Sequence, residues 1–248
     1  MREKPISPTQ QLNWLRLKFM LDNYQGMADE AGKKNRSHQE YFEHLLQGET
    51  DLRWDNSINR RITMARFPVV KTLEQFQWNW PSKINRSQIQ QLCRLNFINL
   101  KANVIFLGGV GMGKTHLTTA IGYQACLQGY GVLFTTAIDV INTLAADLAA
   151  GQLKKGLKRY LKPELLILDE LGYLPIDKRG ADLLFQIISY RYEKGSIMIT
   201  SNRAYKDWPE IFNNDATLTS AILDRLLHHA ETLVIEGKSY RMKEIIAD

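Results

Sequence analysis

Residues 108–115 read Gly-Gly-Val-Gly-Met-Gly-Lys-Thr, which matches the pattern G-x-x-x-x-G-K-[ST] at every fixed position. The apolar run 104–107 lies directly before this stretch, and a segment that favours helix follows it to about Gln128. Glycines let the backbone turn so that successive N–H groups point at one phosphate, and the helix N-terminus adds a partial positive charge. The stretch therefore predicts a strand, a phosphate-binding loop and a helix, in that order.

Two side chains at the end of this loop carry the chemistry of nucleotide binding. Lys114 supplies a full positive charge for β- and γ-phosphates, and the Thr115 hydroxyl is placed to ligate Mg²⁺. We therefore expect ATP and Mg²⁺ as cofactors. The predicted nucleotide contacts in this part of the chain are Gly108, Gly109, Val110, Gly111, Met112, Gly113, Lys114, Thr115 and His116.

A second motif places two acids at the end of a buried strand. The apolar run 165–168 is followed by Asp169 and Glu170. Ligands collect at the carboxyl ends of strands in parallel α/β sheets, so Asp169 is expected beside the loop, holding the hydration shell of Mg²⁺. Glu170 is placed to orient and deprotonate an attacking water. The pair favours an ATPase over kinases and Ras-like GTPases, which usually lack the second acid.

Asn202 follows another apolar run, 197–200, and its amide can hydrogen-bond a γ-phosphate or the attacking water. The alternative interpretation, an asparagine that only serves the turn at a strand end, stays open at this point.

Composition sets the broad class of the protein. The 248 residues are 44% hydrophobic, which is enough for one core or a core domain with a small appendage. Lys and Arg exceed Asp and Glu by 32 to 26, an excess that permits a nucleic-acid partner without proving one. Cys93 and Cys126 have no metal-ligand spacing. With neither a signal peptide nor a membrane span in the sequence, we expect a soluble, cytoplasmic protein.

The pattern along the chain changes near residue 66. Residues 1–66 favour helices, the first ending near Gly26, the second running from Ser37 to Gly48 with Glu40 completing a capping box, and the third covering 50–66. Residues 67–87 are irregular and predict a linker that lies on the next domain, and residues 88–248 form the predicted ATPase domain. A further helix is expected over 88–99.

The second domain alternates short apolar runs with helical patterns, which predicts an α/β fold with a five-stranded parallel sheet between helices. The predicted strands are Val104–Leu107, Val132–Thr135, Leu165–Leu168, Ile197–Thr200 and Thr232–Ile235.

These motifs, together with longer stretches, resemble the IstB family of transposition helper ATPases, which belong to the AAA+ class and are relatives of DnaC-type helicase loaders. The resemblance covers nearly the whole chain. It is most specific over residues 111–117, over Leu168-Asp169-Glu170-Leu171-Gly172-Tyr173-Leu174-Pro175, over 200–202, over Leu223-Asp224-Arg225-Leu226-Leu227-His228-His229-Ala230 and over 236–241. The sequence departs from many relatives at Gly109-Val110, where they have two prolines.

The resemblance implies further roles. Lys114 and Thr115 belong to the Walker A motif, Asp169 and Glu170 to Walker B, and Asn202 is the sensor 1 residue. Arg225 resembles the arginine finger that reaches the γ-phosphate of a neighbouring subunit, and Arg241 lies where a sensor 2-like arginine binds nucleotide. The family's pattern also implies an AAA+ core without a C-terminal lid domain, and self-assembly into a ring or a helical homo-oligomer.

Two groups of basic residues are candidates for DNA contacts. Residues of this type on a helix contact phosphates without reading bases, so we expect binding to double-stranded DNA with little sequence preference. A solvated helix face is the alternative for each group. The candidates are Arg53, Arg60 and Arg61 in the helical region 1–66, and Lys154, Lys155, Lys158 and Arg159 before the Walker B strand.

Three functions remain open. The first is an ATPase that assembles on target DNA, delivers it to the transposase of the same mobile element and stimulates that transposase. The second is a helicase loader of the DnaC type, and the third is a P-loop kinase, for which no acceptor site is evident. His228-His229 also raises a metal interpretation, but with no other ligand in view we favour structural or interface histidines.

Overall fold

A computed structural model describes residues 7–80, 83–237 and 239–240. The chain divides into two compact units, one up to Arg60 and the other from Arg61 onward. None of the helices in the described residues is both long enough and apolar enough to cross a membrane.

The first unit contains helices α1 (Pro8–Trp14), α2 (Lys18–Lys33) and most of α3 (His38–Ala65). Ser7 and Ser37 begin α1 and α3, and each helix start has a capping box. The Ser37 Oγ accepts the backbone N–H of Glu40 at 3.2 Å, while the Glu40 carboxylate accepts the N–H of Ser37 at 2.7 Å. The predicted start at Ser37 is therefore confirmed.

The predicted helix ends at Gly26 and Gly48 are wrong, because α2 and α3 run through them. A helix-interior glycine costs only about 1 kcal/mol, so packing can override it. At Gly48 the reason is visible, since the Phe19 ring occupies the space that a Cβ would take. Gly48 is thus a packing contact between α2 and α3.

Glu49 of α3 connects the same two helices through hydrogen bonds. Its buried carboxylate accepts the backbone N–H groups of Phe19 and Met20 at 2.8 and 3.3 Å, which caps the start of α2. Arg53 pairs with the same carboxylate at 2.8 Å and donates to the Arg16 carbonyl at 3.0 Å. Arg53, a predicted DNA contact, therefore also has a structural role.

The second unit is built around a five-stranded, all-parallel sheet with the order β2-β3-β4-β1-β5, which confirms the predicted fold class. The strands are β1 (Asn103–Gly108), β2 (Val132–Thr136), β3 (Leu165–Leu171), β4 (Ser196–Ser201) and β5 (Ala230–Ile235). The helices are α4 (Arg86–Leu92), α5 (Asn96–Asn99), α6 (Lys114–Leu127), α7 (Ala137–Ala149), α8 (Leu153–Leu161), α9 (Lys178–Arg191), α10 (Trp208–Ile211) and α11 (Ala216–Leu227).

Both faces of the sheet are buried, as expected for parallel strands covered by helices. Alternate residues of β1 enter different cores. Ile105 and Leu107 pack with α7, α9 and α11, whereas Val104 and Phe106 pack with α4, α5 and α6. The sheet is thus the middle layer of three.

The single helix predicted over 88–99 is wrong, because the structure has α4 and α5 with a break between them. Leu95 lies at the break in a left-handed conformation, with φ of 62°. Its side chain is fully buried beneath the sheet. Burial of one large apolar side chain, about 1.5–3 kcal/mol, offsets the backbone cost of about 1–2 kcal/mol.

Candidate nucleotide site

The loop between β1 and α6 has the backbone that its glycines predict. Gly111 and Gly113 adopt left-handed conformations, with φ of 74° and 85°. A Cβ at Gly111 would collide with the Ser239 hydroxyl, and one at Gly113 would lie 2.7 Å from the Phe76 ring. These glycines therefore allow two distant segments of the chain to approach the loop closely.

Lys114 is the first residue of α6, and its ammonium is held inside the loop. The Nζ atom donates to the carbonyls of Gly108 and Gly109 at 2.7 and 2.8 Å. The side chain thus folds back over the space that the loop surrounds, where a phosphate would meet both this charge and the helix N-terminus.

The two predicted metal ligands lie in contact. The Thr115 hydroxyl donates to Asp169 Oδ2 at 2.9 Å, and the Asp169 carboxylate is 97% buried. Thr200 of β4 donates a second hydrogen bond to Asp169 Oδ1 at 2.5 Å. A hydroxyl and a carboxylate are hard oxygen donors, so this pair fits Mg²⁺.

Glu170 lies at an irregularity in β3. The pairing of β3 with β4 shifts between Leu168 and Leu171, and Glu170 has a left-handed φ of 61°. Its N–H donates to the Thr200 hydroxyl at 2.9 Å. Because of this bulge, Asp169 is buried while the next acid is exposed and borders the cavity.

The loop and the ends of β3 and β4 border one cavity of about 480 Å³, a volume typical of small-molecule sites. Asn202 lines it, and the Asn202 Oδ1 atom is buried without a hydrogen-bond partner in the described residues. A buried acceptor of this kind is costly unless a donor reaches it, which favours a binding role over a turn role. Its contact with a γ-phosphate or water stays a prediction.

Sequence reasoning missed one wall of the cavity. Five residues of the predicted linker line it, and so does Tyr240, whose N–H donates to the Gly111 carbonyl at 2.9 Å. The ring of Phe76 makes edge-to-face contacts with Trp78 and His116 at centroid distances of 5.0 and 5.3 Å. The aromatic residues between 67 and 80 are the sequence feature that could have indicated this wall of the cavity. The linker residues in this wall are Lys71, Gln75, Phe76, Gln77 and Trp80.

Arg225 is not among the residues that line the cavity. Its guanidinium lies 4.9 Å above the ring of Phe185 in α9, and Nη1 donates to the Ala221 carbonyl at 2.9 Å. The alternative of a local ion pair with Asp224 or Glu231 is not present among the described residues. Arg241 lies outside the described residues.

The basic residues of α8 form one exposed face, opposite a face on which Leu157 and Tyr160 are buried. In the other predicted group, Arg60 is exposed and Arg61 half-buried. The exposed residues of α8 are Lys154, Lys155, Lys158 and Arg159.

The parallel sheet, the loop after β1 and the two acids near the end of β3 define a P-loop protein of the AAA+ class. Comparison with known proteins places it within that class. The sequence profile of the IstB-like ATP binding protein family matches residues 10–247, so the chain belongs to this family.

Relatives in the family come from insertion sequences. The chain is 39% identical to an ATP-binding protein of insertion sequence IS5376 from Geobacillus stearothermophilus, over 93% of this chain and 91% of that protein. It is 40% identical to an ATP-binding protein of insertion sequence IS21 from Pseudomonas aeruginosa, over 94% of this chain and 88% of that protein.

Solved structures support the same fold. AMPPCP-bound DnaA from Aquifex aeolicus superposes with a TM-score of 0.58 and 25% identity, over 73% of this chain but 54% of that one. The DnaC helicase loader superposes with a TM-score of 0.53 and 24% identity, over 66% of this chain and 96% of that one.

Proposed function

We propose that this protein is a Mg²⁺-dependent ATPase that assembles on double-stranded DNA and assists the transposase of its insertion sequence. The observation that carries the ATPase proposal is the cluster of Thr115, Asp169 and Thr200 beside the loop, with Glu170 turned into the same cavity. The names of the relatives support ATP as the nucleotide and an insertion sequence as the setting.

The residues around the loop have distinct tasks. Lys114 would exchange its bonds to the Gly108 and Gly109 carbonyls for phosphate oxygens, which carry a larger negative charge. Thr115 and Asp169 would hold Mg²⁺, which would supply positive charge beside the phosphates. Glu170 accepts the proton of the attacking water, since its carboxylate opens to the cavity.

Arg225 supports a proposal about assembly. Its guanidinium packs on Phe185, away from the cavity of its own chain. A planar cation held in this way can stabilise charge on the γ-phosphate bound by a neighbouring copy. A ring or helical homo-oligomer would therefore complete each site with a residue from the next subunit.

DNA binding rests on the basic face of α8 together with Arg60 and Arg61. Four exposed cations on one short helix can neutralise several phosphates and give affinity that falls steeply with salt. A DnaA structure bound to AMPPCP and single-stranded DNA, 25% identical to this chain, supports a nucleic-acid partner. Replacing Arg60 and Arg61 should lower the slope of log affinity against log salt by about 0.9 for each lost phosphate contact.

Two substitutions test the ATPase proposal. We expect Lys114→Ala to lower ATP affinity at least tenfold, about 1.4 kcal/mol, when measured by calorimetry. Glu170→Gln keeps the size of the side chain but cannot accept a proton, so we expect it to bind ATP normally and to lose about 10²–10⁴ in turnover. Wild-type hydrolysis by Glu170→Gln would exclude Glu170 as the base.

A mixing experiment tests the role of Arg225. A Lys114→Ala subunit keeps its arginine, and an Arg225→Ala subunit keeps its loop. Each variant should be inactive alone, and the mixture should recover part of the ATPase activity because some interfaces pair an intact loop with an intact arginine. No recovery from variants that demonstrably co-assemble would restrict Arg225 to its own chain. Pull-down with the transposase and with a replicative helicase separates the transposition role from the helicase-loader alternative.

A further inference from the structure

Three side chains of types that can bind metals lie together on the surface of the second unit, and the nucleotide cavity is lined by other residues. Glu193 lies in the turn between α9 and β4, while His228 and His229 directly follow α11. Glu193 Oε1 is 4.0 Å from His228 Nδ1 and 3.7 Å from His229 Nε2. One ligand atom from each side chain lies within 4.8 Å of the other two.

The backbone at these positions is fixed by buried contacts. The carbonyl of His229 accepts the N–H of Asn103 at 2.7 Å, and the buried Asn103 amide donates to the Leu226 carbonyl at 3.0 Å. On the other side, Glu193 turns the chain with a left-handed φ of 56°, two residues after Arg191, whose side chain is buried. The three side chains are therefore held near one another by the fold.

We propose that Glu193, His228 and His229 form a binding site for a divalent transition-metal cation, for which Zn²⁺ is the best match. Imidazole nitrogens with a carboxylate oxygen suit Zn²⁺, whereas Mg²⁺ prefers oxygen ligands alone. Zinc–ligand bonds of about 2.0–2.2 Å place tetrahedral ligands about 3.4 Å apart. Glu193 Oε1 lies 3.7 and 4.0 Å from the two histidine nitrogens, and all three ligand atoms lie within 4.8 Å of one another, so rotations of the exposed side chains can bring them to that spacing. Water completes the fourth position.

Tyr192 competes with the cation for one ligand atom. Its hydroxyl forms a 2.6 Å hydrogen bond with His228 Nδ1. Its ring stacks on the same imidazole at a centroid distance of 5.8 Å. A cation at Nδ1 must displace this hydrogen bond. Tyr192→Phe removes the competitor and keeps the ring, so we expect this variant to bind the metal about two- to tenfold more tightly.

Calorimetric titration of the nucleotide-free full chain with ZnCl₂ tests the proposal. We expect one Zn²⁺ per chain, and affinity at least about tenfold weaker in Glu193→Gln and in His229→Ala. His38→Ala removes an exposed histidine of the first unit and should bind as the wild type does. The thiols do not compete, because burial raises the pKa of both Cys93 and Cys126 to about 11.

Two outcomes would overturn the site. One is the absence of stoichiometric binding in both the wild type and Tyr192→Phe. The other is wild-type affinity in Glu193→Gln, whose exposed side chain can be exchanged without disturbing the core. The visible absorption of bound Co²⁺ gives an independent measurement, since its intensity distinguishes tetrahedral from octahedral coordination. Because the titrations contain no ATP, they succeed or fail independently of the ATPase proposal.

Discussion

Replacing Thr200 with valine removes one buried hydroxyl and keeps the shape of the side chain. The hydroxyl donates to Asp169 Oδ1 at 2.5 Å and accepts the N–H of Glu170 at 2.9 Å. Thr200 is only 1% exposed, so its hydroxyl makes these bonds with little contact from water. The substitution therefore removes one hydrogen bond from the Asp169 carboxylate and one from the backbone of Glu170, and it changes neither residue.

The magnitude follows from the two bonds. A hydrogen bond to a charged group contributes about 1.5–3 kcal/mol, and an amide left without its acceptor costs about 1–3 kcal/mol. The two losses do not simply add, because they affect adjacent residues and because Thr115 still donates to Asp169 at 2.9 Å. We therefore expect the free energy of unfolding to fall by about 2–4 kcal/mol. Turnover at saturating ATP should fall as well, because Glu170 loses the contact that fixes its bulge.

Urea unfolding and ATPase kinetics measure both effects. Thr219→Val is a matched control, since Thr219 is equally buried but donates only to the Asp215 carbonyl within its own helix. We expect this control to lose at most about 1 kcal/mol, and we expect Thr200→Ser to restore most of the turnover. If Thr200→Val behaves like Thr219→Val in both assays, Thr200 does not position the acids.

Three further predictions concern stability. Burial raises the pKa of Glu49, but hydrogen bonds from Arg53, Met20 and Phe19 outweigh it and lower the pKa below the ordinary 4.5. This stabilisation is present above pH 4.5 and is lost as pH falls through the folded-state pKa. Glu49→Gln should therefore destabilise the protein at pH 7, and should do so much less in unfolding curves recorded below that folded-state pKa. Glu170→Asn should be about 0.5–1 kcal/mol more stable than Glu170→Gln in thermal unfolding, because asparagine tolerates the left-handed backbone better. Arg191→Met should cost about 3–5 kcal/mol in urea unfolding, because it leaves four backbone carbonyls without the guanidinium that binds them.

Local patterns in the sequence were sufficient to predict the sheet and the central residues of the nucleotide site. The loop at 108–115 and the acids of β3 each lie within a few residues of a strand end, and parallel strands bring their carboxyl ends to one edge. This rule predicts Asp169 beside the loop, where it contacts Thr115. The short apolar runs also located all five strands.

Contacts between distant residues explain the errors and omissions. Gly48 interrupts no helix because Phe19 needs the space, and Leu95 breaks a helix because its side chain is drawn into the core. Neither residue shows this in its local sequence. Glu193 joins the histidines at 228–229 across 35 positions of the chain, so spacing alone could not reveal it. The hydrogen bonds of Thr200 depend equally on strand order.

The aromatic segment after α3 connects the end of that helix to the nucleotide-binding loop. Ala65 ends α3 and is fully buried in the core of the second unit, and Phe76 lies only eleven residues later against Gly113 of the loop. His116 fixes the same segment through a 2.9 Å hydrogen bond with the Thr72 carbonyl. Because Ala65 and Phe76 are both buried, the segment between them is held at both ends, and its contacts with Gly113 and His116 join the loop to the end of α3.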